Sequence, residues 1–197
     1  MKFAPLPAGP FRLIYADPAW RTESYDGKKT VPTQAGDPYE TLTTEQMKHI
    51  PVREVIAKDA LLVMWAVGSH LRQAMDLGES WGFEFNTDLF IWLKERLYFD
   101  EQDKAFMRED SLRIGMGRHS RKQAEQCLLF SRGNGCKVLD HSVRQCIFAP
   151  PSEHSRKPVE TYHRLHRLYG DVPRLELFAR NSHPGWQSWG NETEKYG

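Results

Sequence analysis

An excess of charge of one sign is missing from this 197-residue sequence: 27 Lys and Arg stand against 26 Asp and Glu, a formal net charge of +1. That balance supplies no strong electrostatic case for nucleic acid and none for an acidic substrate. Cysteine is scarce, with three residues, Cys127, Cys136 and Cys146, and no C-x-x-C spacing. An odd, unpaired set excludes a disulfide frame and a zinc site and reads as the reduced thiols of a cytoplasmic protein. Hydrophobic runs long enough to cross a membrane are also missing, and "MKFAPLPAGPF" at the N-terminus lacks the apolar core of a signal peptide. The expectation is a soluble, cytoplasmic chain with no membrane partner. What is present is a globular composition, 40% hydrophobic and 12% aromatic, in a length that fits one domain with a sizeable core.

Apolar runs recur along the chain: "FRLIYA" (11–16), "ALLVMWA" (60–66), "FNTDLFIWL" (85–93), "QCLLFS" (126–131), "QCIFA" (145–149) and "RLELFA" (174–179). Most are near-continuous, as in strands covered on both faces of a mainly parallel sheet. Helical segments lie between several of them. "TTEQMKHI" opens with Thr43 and has Gln46 three residues on, a capping-box pattern. "SHLRQAMDLGESWG" puts Leu71, Met75 and Trp81 near one face. In "KPVETYHRLHRLYG", Pro158 suits a first turn, Tyr162, Leu165 and Tyr169 form a stripe, and Gly170 is a stop. The alternation predicts an α/β fold with helices on both faces of the sheet, in one domain over 1–197 with no repeat. Two stretches, 21–38 and roughly 95–123, carry no such pattern. Both follow strand ends, where open α/β sheets bind ligands.

The first run ends in "LIYADPAW" (13–20). Pro18 fixes its own φ and confines Asp17 to extended backbone, so the carboxylate has a defined direction. The carbonyls that follow lack a strand partner and are expected to be free acceptors. An acid and a carbonyl held together bind both hydrogens of an amino group, and Trp20 offers a flat face to a planar base, worth ~1–3 kcal/mol. The alternative is a plain strand-ending turn with Trp20 as core filler, and the tetrapeptide alone does not decide between them.

The tetrapeptide resembles the D-P-P-[WYF] motif of amino-methyltransferases that use S-adenosylmethionine. The rest of the chain is similar to one branch, the adenine-N6 family of the catalytic (70 kDa) subunit of the mRNA adenosine methyltransferase, in its bacterial and phage form. Further blocks carry the resemblance in the family's order from about residue 11 to 192: "DPYETLTTEQM" (37–47), "GMGRHSRKQAEQCLLFSRGN" (115–134), "HSRKP" (154–158) and "LELFARNSHPGWQSWGNE" (175–192). No G-x-G-x-x-G follows the first strand, which fits a branch whose catalytic motif precedes its cofactor-binding segment.

The resemblance implies a Rossmann-like S-adenosylmethionine-dependent methyltransferase fold and an enzyme that methylates the N6 amine of adenine in nucleic acid, DNA favoured over RNA. It implies that Asp17 binds the target amine beside the cofactor's methionine end, the Pro18 carbonyl helps, and Trp20 stacks on the base, with Ala19 in the same turn. Tyr39 matches a tyrosine near the target base. Lys157 would pair with the cofactor carboxylate, and Glu176, Arg180, Asn191 and Glu192 match positions around its ribose. Two departures stand out: Ala19 replaces a second proline, which loosens the turn, and only 16 residues precede Asp17, which leaves the adenine pocket of the cofactor unassigned. His183 is a minor candidate, since 181–183 differ from the eukaryotic pattern.

Arg113, Arg118, His119, Arg121 and Lys122 either grip a phosphate backbone or form a solvated loop, with Arg118 and Arg121 the substrate candidates. His154, His163 and His166 lack the carboxylate or cysteine partners of a metal site, and methyl transfer needs no metal. Gly115 and Gly117 read as a flexible loop, and Trp186 and Trp189 as packing beside the final strand. No separate target-recognition domain is visible, so a homodimer or a partner subunit is the expected means of holding a duplex. Two other readings remain: a cytosine-N4 methyltransferase with a related motif, and a non-catalytic nucleic-acid-binding or scaffold subunit.

Overall fold

The computed structural model describes residues 4–20, 42–95, 98–99, 105–106, 112, 119–151 and 156–190. Among them are strands β1 (Phe11–Ala16), β2 (Ile56–Ala66), β3 (Glu84–Lys94), β4 (Tyr98–Phe99), β5 (Ala105–Phe106), β6 (Ala124–Arg132), β7 (Cys146–Ala149), β8 (Arg174–Leu177) and β9 (Gln187–Trp189). The helices are α1 (Thr44–Lys48), α2 (Leu71–Ser80) and α3 (Glu160–Tyr169). Seven strands form one sheet in the order β7-β3-β6-β2-β1-β8-β9. The pairings β1–β2, β1–β8, β8–β9 and β3–β7 are parallel. The expected α/β class with a mostly parallel sheet is the one found. No helix among the described residues is long and apolar enough to cross a membrane.

The six strands read from the sequence are all present, with three differences. "RLELFA" stops at Leu177 because Phe178 takes a left-handed φ of 61°, which no strand continues through. The short β9 beyond it carries too few residues to show a period. The stretch from 95 to 123 holds a small antiparallel pair, β4 with β5, and a bridge from Glu95 to Leu112.

The chain packs as two compact units. One comprises residues 1–87, 128–136 and 172–197, the other 88–127 and 137–171. In the first, the register of β1 with β2 and β8 pairs Ile14 with Leu62 and Leu175, and Ala16 with Met64 and Leu177. These side chains share one buried cluster with Met47, Ala74, Leu77 and Trp81. Each Leu or Ile taken fully out of water contributes about 1.5–3 kcal/mol, so this face holds the unit together. The capping box of α1 forms as expected: Gln46 N donates to Thr43 Oγ1 at 3.2 Å, and Thr43 N donates to Gln46 Oε1 at 2.8 Å. The α2 face is the expected one in part: Trp81 is buried and Leu71 packs against the core, while Met75 is half-buried. Ala74, Leu77 and Gly78 are buried as well, and Gly78 lets the helix sit against the Phe130 ring.

In the second unit, Gly170 ends α3 at φ 63° as expected, and the buried residues are Thr161, Leu165, Leu168 and Tyr169, with Tyr162 half-buried. The N-cap is Val159; Pro158 precedes it and its carbonyl accepts the Thr161 amide at 3.0 Å. Arg164 donates to the carbonyls of Arg144 and Cys146 at 2.6 and 2.8 Å, which occupies acceptors at the start of β7. Arg167 of α3 holds Asp140 through two bonds of 2.9 and 2.6 Å, and Ser142 donates twice to the same carboxylate. The Ser142 hydroxyl and amide, then Arg167, lower the Asp140 pKa from 3.8 to about 2. A carboxylate with a depressed folded pKa contributes stability above its unfolded value, and that contribution is lost as pH falls through the folded one. Asp140→Asn is therefore expected to lower the urea midpoint near neutral pH, with the difference closing between pH ~4 and ~2. An offset that stayed constant across that range would contradict this.

Candidate active site

The order β2-β1-β8 reverses direction at β1: the chain passes from β1 to β2 on one side, while β8 and β9 lie on the other. Open α/β sheets bind ligands outside the carboxyl ends of strands at such a point. Asp17 follows directly on the last residue of β1, so it stands at that end, half-buried, with Pro18 buried behind it.

The turn after Asp17 is closed by a bond from Trp20 N to Pro18 O at 2.8 Å, a three-residue turn centred on Ala19. This corrects the expectation that the Pro18 carbonyl is a free acceptor. One lone pair is committed to the Trp20 amide, and one remains for a ligand. The same bond shapes the turn without a second proline at residue 19. The Trp20 indole is anchored too: Nε1 donates to the Trp65 carbonyl at 3.1 Å, and the ring packs on the edge of the core while half-exposed. Trp20 thus packs on the core on one side and stays accessible on the other. Trp65 is in turn fixed, its Nε1 donating to the Tyr15 hydroxyl at 2.6 Å. His70, at the start of α2, stacks on Trp20 with ring centroids 5.7 Å apart and 30° between planes.

Glu176 lies beside Tyr15 in the β1–β8 register and beside Ser188 in the β8–β9 register. Its carboxylate is buried at 6% exposure, near the carboxyl end of β8. Ser188 Oγ is buried with no hydrogen-bond partner among the described residues, and so is Asn181 Oδ1. A buried hydroxyl lacking a partner costs about 1–3 kcal/mol. An acid next to a hydroxyl that lacks a partner fits a diol, to which a carboxylate accepts and a serine both donates and accepts. Arg180 is half-buried just past β8, and His183 accepts the Trp186 amide through its carbonyl at 3.1 Å. Trp186 meets the Tyr15 ring edge-on at 5.8 Å, and Trp189 packs against Phe178 at 6.0 Å and donates to the Ala4 carbonyl at 2.9 Å.

In the second unit, Lys157 lies 3.4 Å from Glu125, and Lys94 bonds the other oxygen of the same carboxylate. Burial opposes the Glu125 charge, but Lys157 and Lys94 outweigh it and hold the carboxyl below its usual range. The cluster thus presents two cations to one largely buried carboxylate. Arg121 is exposed on the approach to β6. Tyr39, Arg118, Asn191 and Glu192 lie outside the described residues.

The structure therefore brings together Asp17, Pro18, Ala19 and Trp20, with Glu176 on the strand beside them. Sequence reasoning missed His70, Trp65, Lys94 and Glu125. The last two had a signal, an ion at the end of an apolar run in "FIWLK" and at the start of another in "AEQCLLF". His70 and Trp65 had none, because their roles depend on how two strand ends meet.

A family model described as MT-A70 matches residues 11–192. The type II methyltransferase M.MunI from Mycoplasma sp. is 29% identical, over 96% of this chain and 81% of its own length. The N(6)-adenine-specific methyltransferase METTL4 of Homo sapiens is 29% identical over 94% of this chain and 38% of its own. The N6-methyladenosine RNA methyltransferase MTA1 of Cryphonectria parasitica is 30% identical over 94% and 52%. The chain thus spans most of the first relative and about half or less of the other two. It belongs to the MT-A70 family of S-adenosylmethionine-dependent adenine-N6 methyltransferases, which have a Rossmann-like fold.

Proposed function

We infer that this chain methylates the exocyclic N6 amine of adenine in DNA. The observation that carries the reading is the Asp17-Pro18-Ala19-Trp20 turn at the carboxyl end of β1, at the point where the strand order reverses. Asp17 would accept one hydrogen of the amine, and the remaining lone pair of the Pro18 carbonyl the other. Drawing both hydrogens into the plane of these acceptors turns the nitrogen lone pair out of conjugation with the ring. Trp20 would stack on a base that is flipped out or already single-stranded. When bound, S-adenosylmethionine supplies an activated methyl group. The chain's own work is then positioning and polarisation, with Asp17 beside the proton the methylated nitrogen gives up.

Glu176, with Ser188 alongside, suits the cofactor's ribose, and Arg180, Asn191 and Glu192 follow from the family resemblance. Lys157 is the cation the resemblance assigns to the cofactor carboxylate. The likeness that covers most of both chains is to a type II methyltransferase rather than to the relative named for RNA, which favours DNA. Tyr39, Arg118 and Arg121 are the proposed contacts to the target strand. A cytoplasmic location and a second copy or partner subunit to hold a duplex complete the reading.

Labelled methyl groups followed from S-adenosylmethionine into DNA and RNA oligonucleotides, single- and double-stranded, test it. The expected product is 6-methyladenine in DNA, at least tenfold faster than in RNA. Label in 4-methylcytosine, or faster transfer to RNA, would overturn the base or the nucleic acid assigned.

A further inference from the structure

Trp20 is restrained at two points already described: its amide by the Pro18 carbonyl and its indole N–H by the Trp65 carbonyl. The ring also packs on the edge of the apolar core. A hydrogen bond at the amide or at Nε1 does not by itself fix the tilt of the indole plane, and the angle at which a stacked base meets Asp17 depends on that tilt. A ring contact comes from His70, on the connection that follows β2.

His70 is itself held in place. Its amide donates to the Val67 carbonyl at 2.8 Å, and its Nδ1 lies 2.9 Å from the Ser69 hydroxyl. It occupies the N-cap position of α2 without capping the helix through its side chain. The side chain instead lies along Trp20. A centroid separation of 5.7 Å falls within the roughly 4.5–7 Å of directly paired aromatic rings, so no base fits between the two. The imidazole backs the indole and leaves another part of the half-exposed Trp20 surface for a ligand.

We propose that His70 is a positioning residue of this active site: its ring, through stacking and not through its nitrogens, sets the plane in which Trp20 meets the target base. The proposal rests on the stacking role given to Trp20 above. It ties the carboxyl end of β2 to the turn at the end of β1, so the base wall is made by two strand ends rather than by the D-P-A-W tetrapeptide alone.

Three variants in the full-length chain test it: His70→Ala, His70→Phe and, as reference, Trp20→Phe. His70→Ala is expected to lower kcat/KM for the oligonucleotide about 3- to 10-fold, with S-adenosylmethionine affinity by calorimetry unchanged. His70→Phe, which keeps a ring and removes the nitrogens, is expected to recover to within about twofold of the parent. A merely structural histidine would show a fall in thermal midpoint without this split between nucleic acid and cofactor. Two results overturn the proposal: His70→Ala as active as the parent, or His70→Phe as impaired as His70→Ala, which would give the role to a ring nitrogen. A second readout is independent of turnover. The indole N–H resonance of Trp20, assigned by its loss in Trp20→Phe, is expected to shift and exchange faster in His70→Ala and to return towards the parent position in His70→Phe. An unmoved resonance sinks the clamp. If the parent methylates no nucleic acid while the resonance behaves as expected, the clamp stands and the substrate reading fails.

Discussion

Asp17→Ala is expected to lower methyl transfer to adenine by about three orders of magnitude while the fold survives. Asp17 sits at the carboxyl end of β1, outside the apolar cluster formed by Ile14 and Ala16 with their partners on β2 and β8. Its removal takes nothing from that cluster, so the thermal midpoint should move by no more than about 2–4 °C, the effect of ~1 kcal/mol in a chain of this size. The loss in rate is large because the acceptor is fixed before the substrate arrives. Pro18 confines the backbone of Asp17, the Trp20–Pro18 bond closes the turn, and the indole is tied to Trp65. Alanine removes the carboxylate and leaves backbone carbonyls such as that of Pro18 to meet an amine with two hydrogens. Cofactor affinity measured alongside separates two roles: unchanged binding assigns Asp17 to the amine, and weakened binding assigns it also to the cofactor. A variant that retained full transfer would remove Asp17 from the mechanism.

Gly190→Ala is expected to destabilise the chain by about 2–3 kcal/mol, a fall of about 4–12 °C in a calorimetric scan. A β-carbon at residue 190 would lie 2.3 Å from the Ala179 carbonyl oxygen and 2.7 Å from its nitrogen. Those are backbone atoms, and the same nitrogen donates to the Trp189 carbonyl at 3.0 Å, so neither side can give way without losing the bond. The position shows no left-handed φ; the glycine is needed for close approach, not for conformational freedom. Residue 190 also directly precedes Asn191 and Glu192, so a shift here is expected to weaken cofactor binding beyond the stability loss. A midpoint within 2 °C of the parent would show that the two segments are more compliant than their spacing suggests.

The six longer strands were legible because most are near-continuous apolar runs, and such a run has few ways to leave water except inside a covered sheet. The capping box of Thr43 and Gln46 and the helix stop at Gly170 were legible because they are local: each is decided within four residues. The buried face of α2 was legible in part, at Leu71 and Trp81; the burial of Gly78 was not, because it depends on Phe130, some fifty residues away. The Pro18 carbonyl was misjudged for a related reason, since the period of a strand says nothing of how a turn closes on itself.

The sequence by itself determined the chemistry available and its approximate address: an acid, a proline and an indole at the end of the first apolar run, and an acid in "RLEL". Those properties belong to residue types and short spacings, and they survive without any knowledge of packing. The tertiary structure alone decided that β1 lies between β2 and β8, which puts Asp17 at the reversal of strand order and Glu176 beside Tyr15. It alone decided that Trp20 is tied to Trp65 and backed by His70, and that Lys157 shares Glu125 with Lys94. These contacts join residues tens of positions apart, and only the pairing of whole strands selects which distant side chains meet.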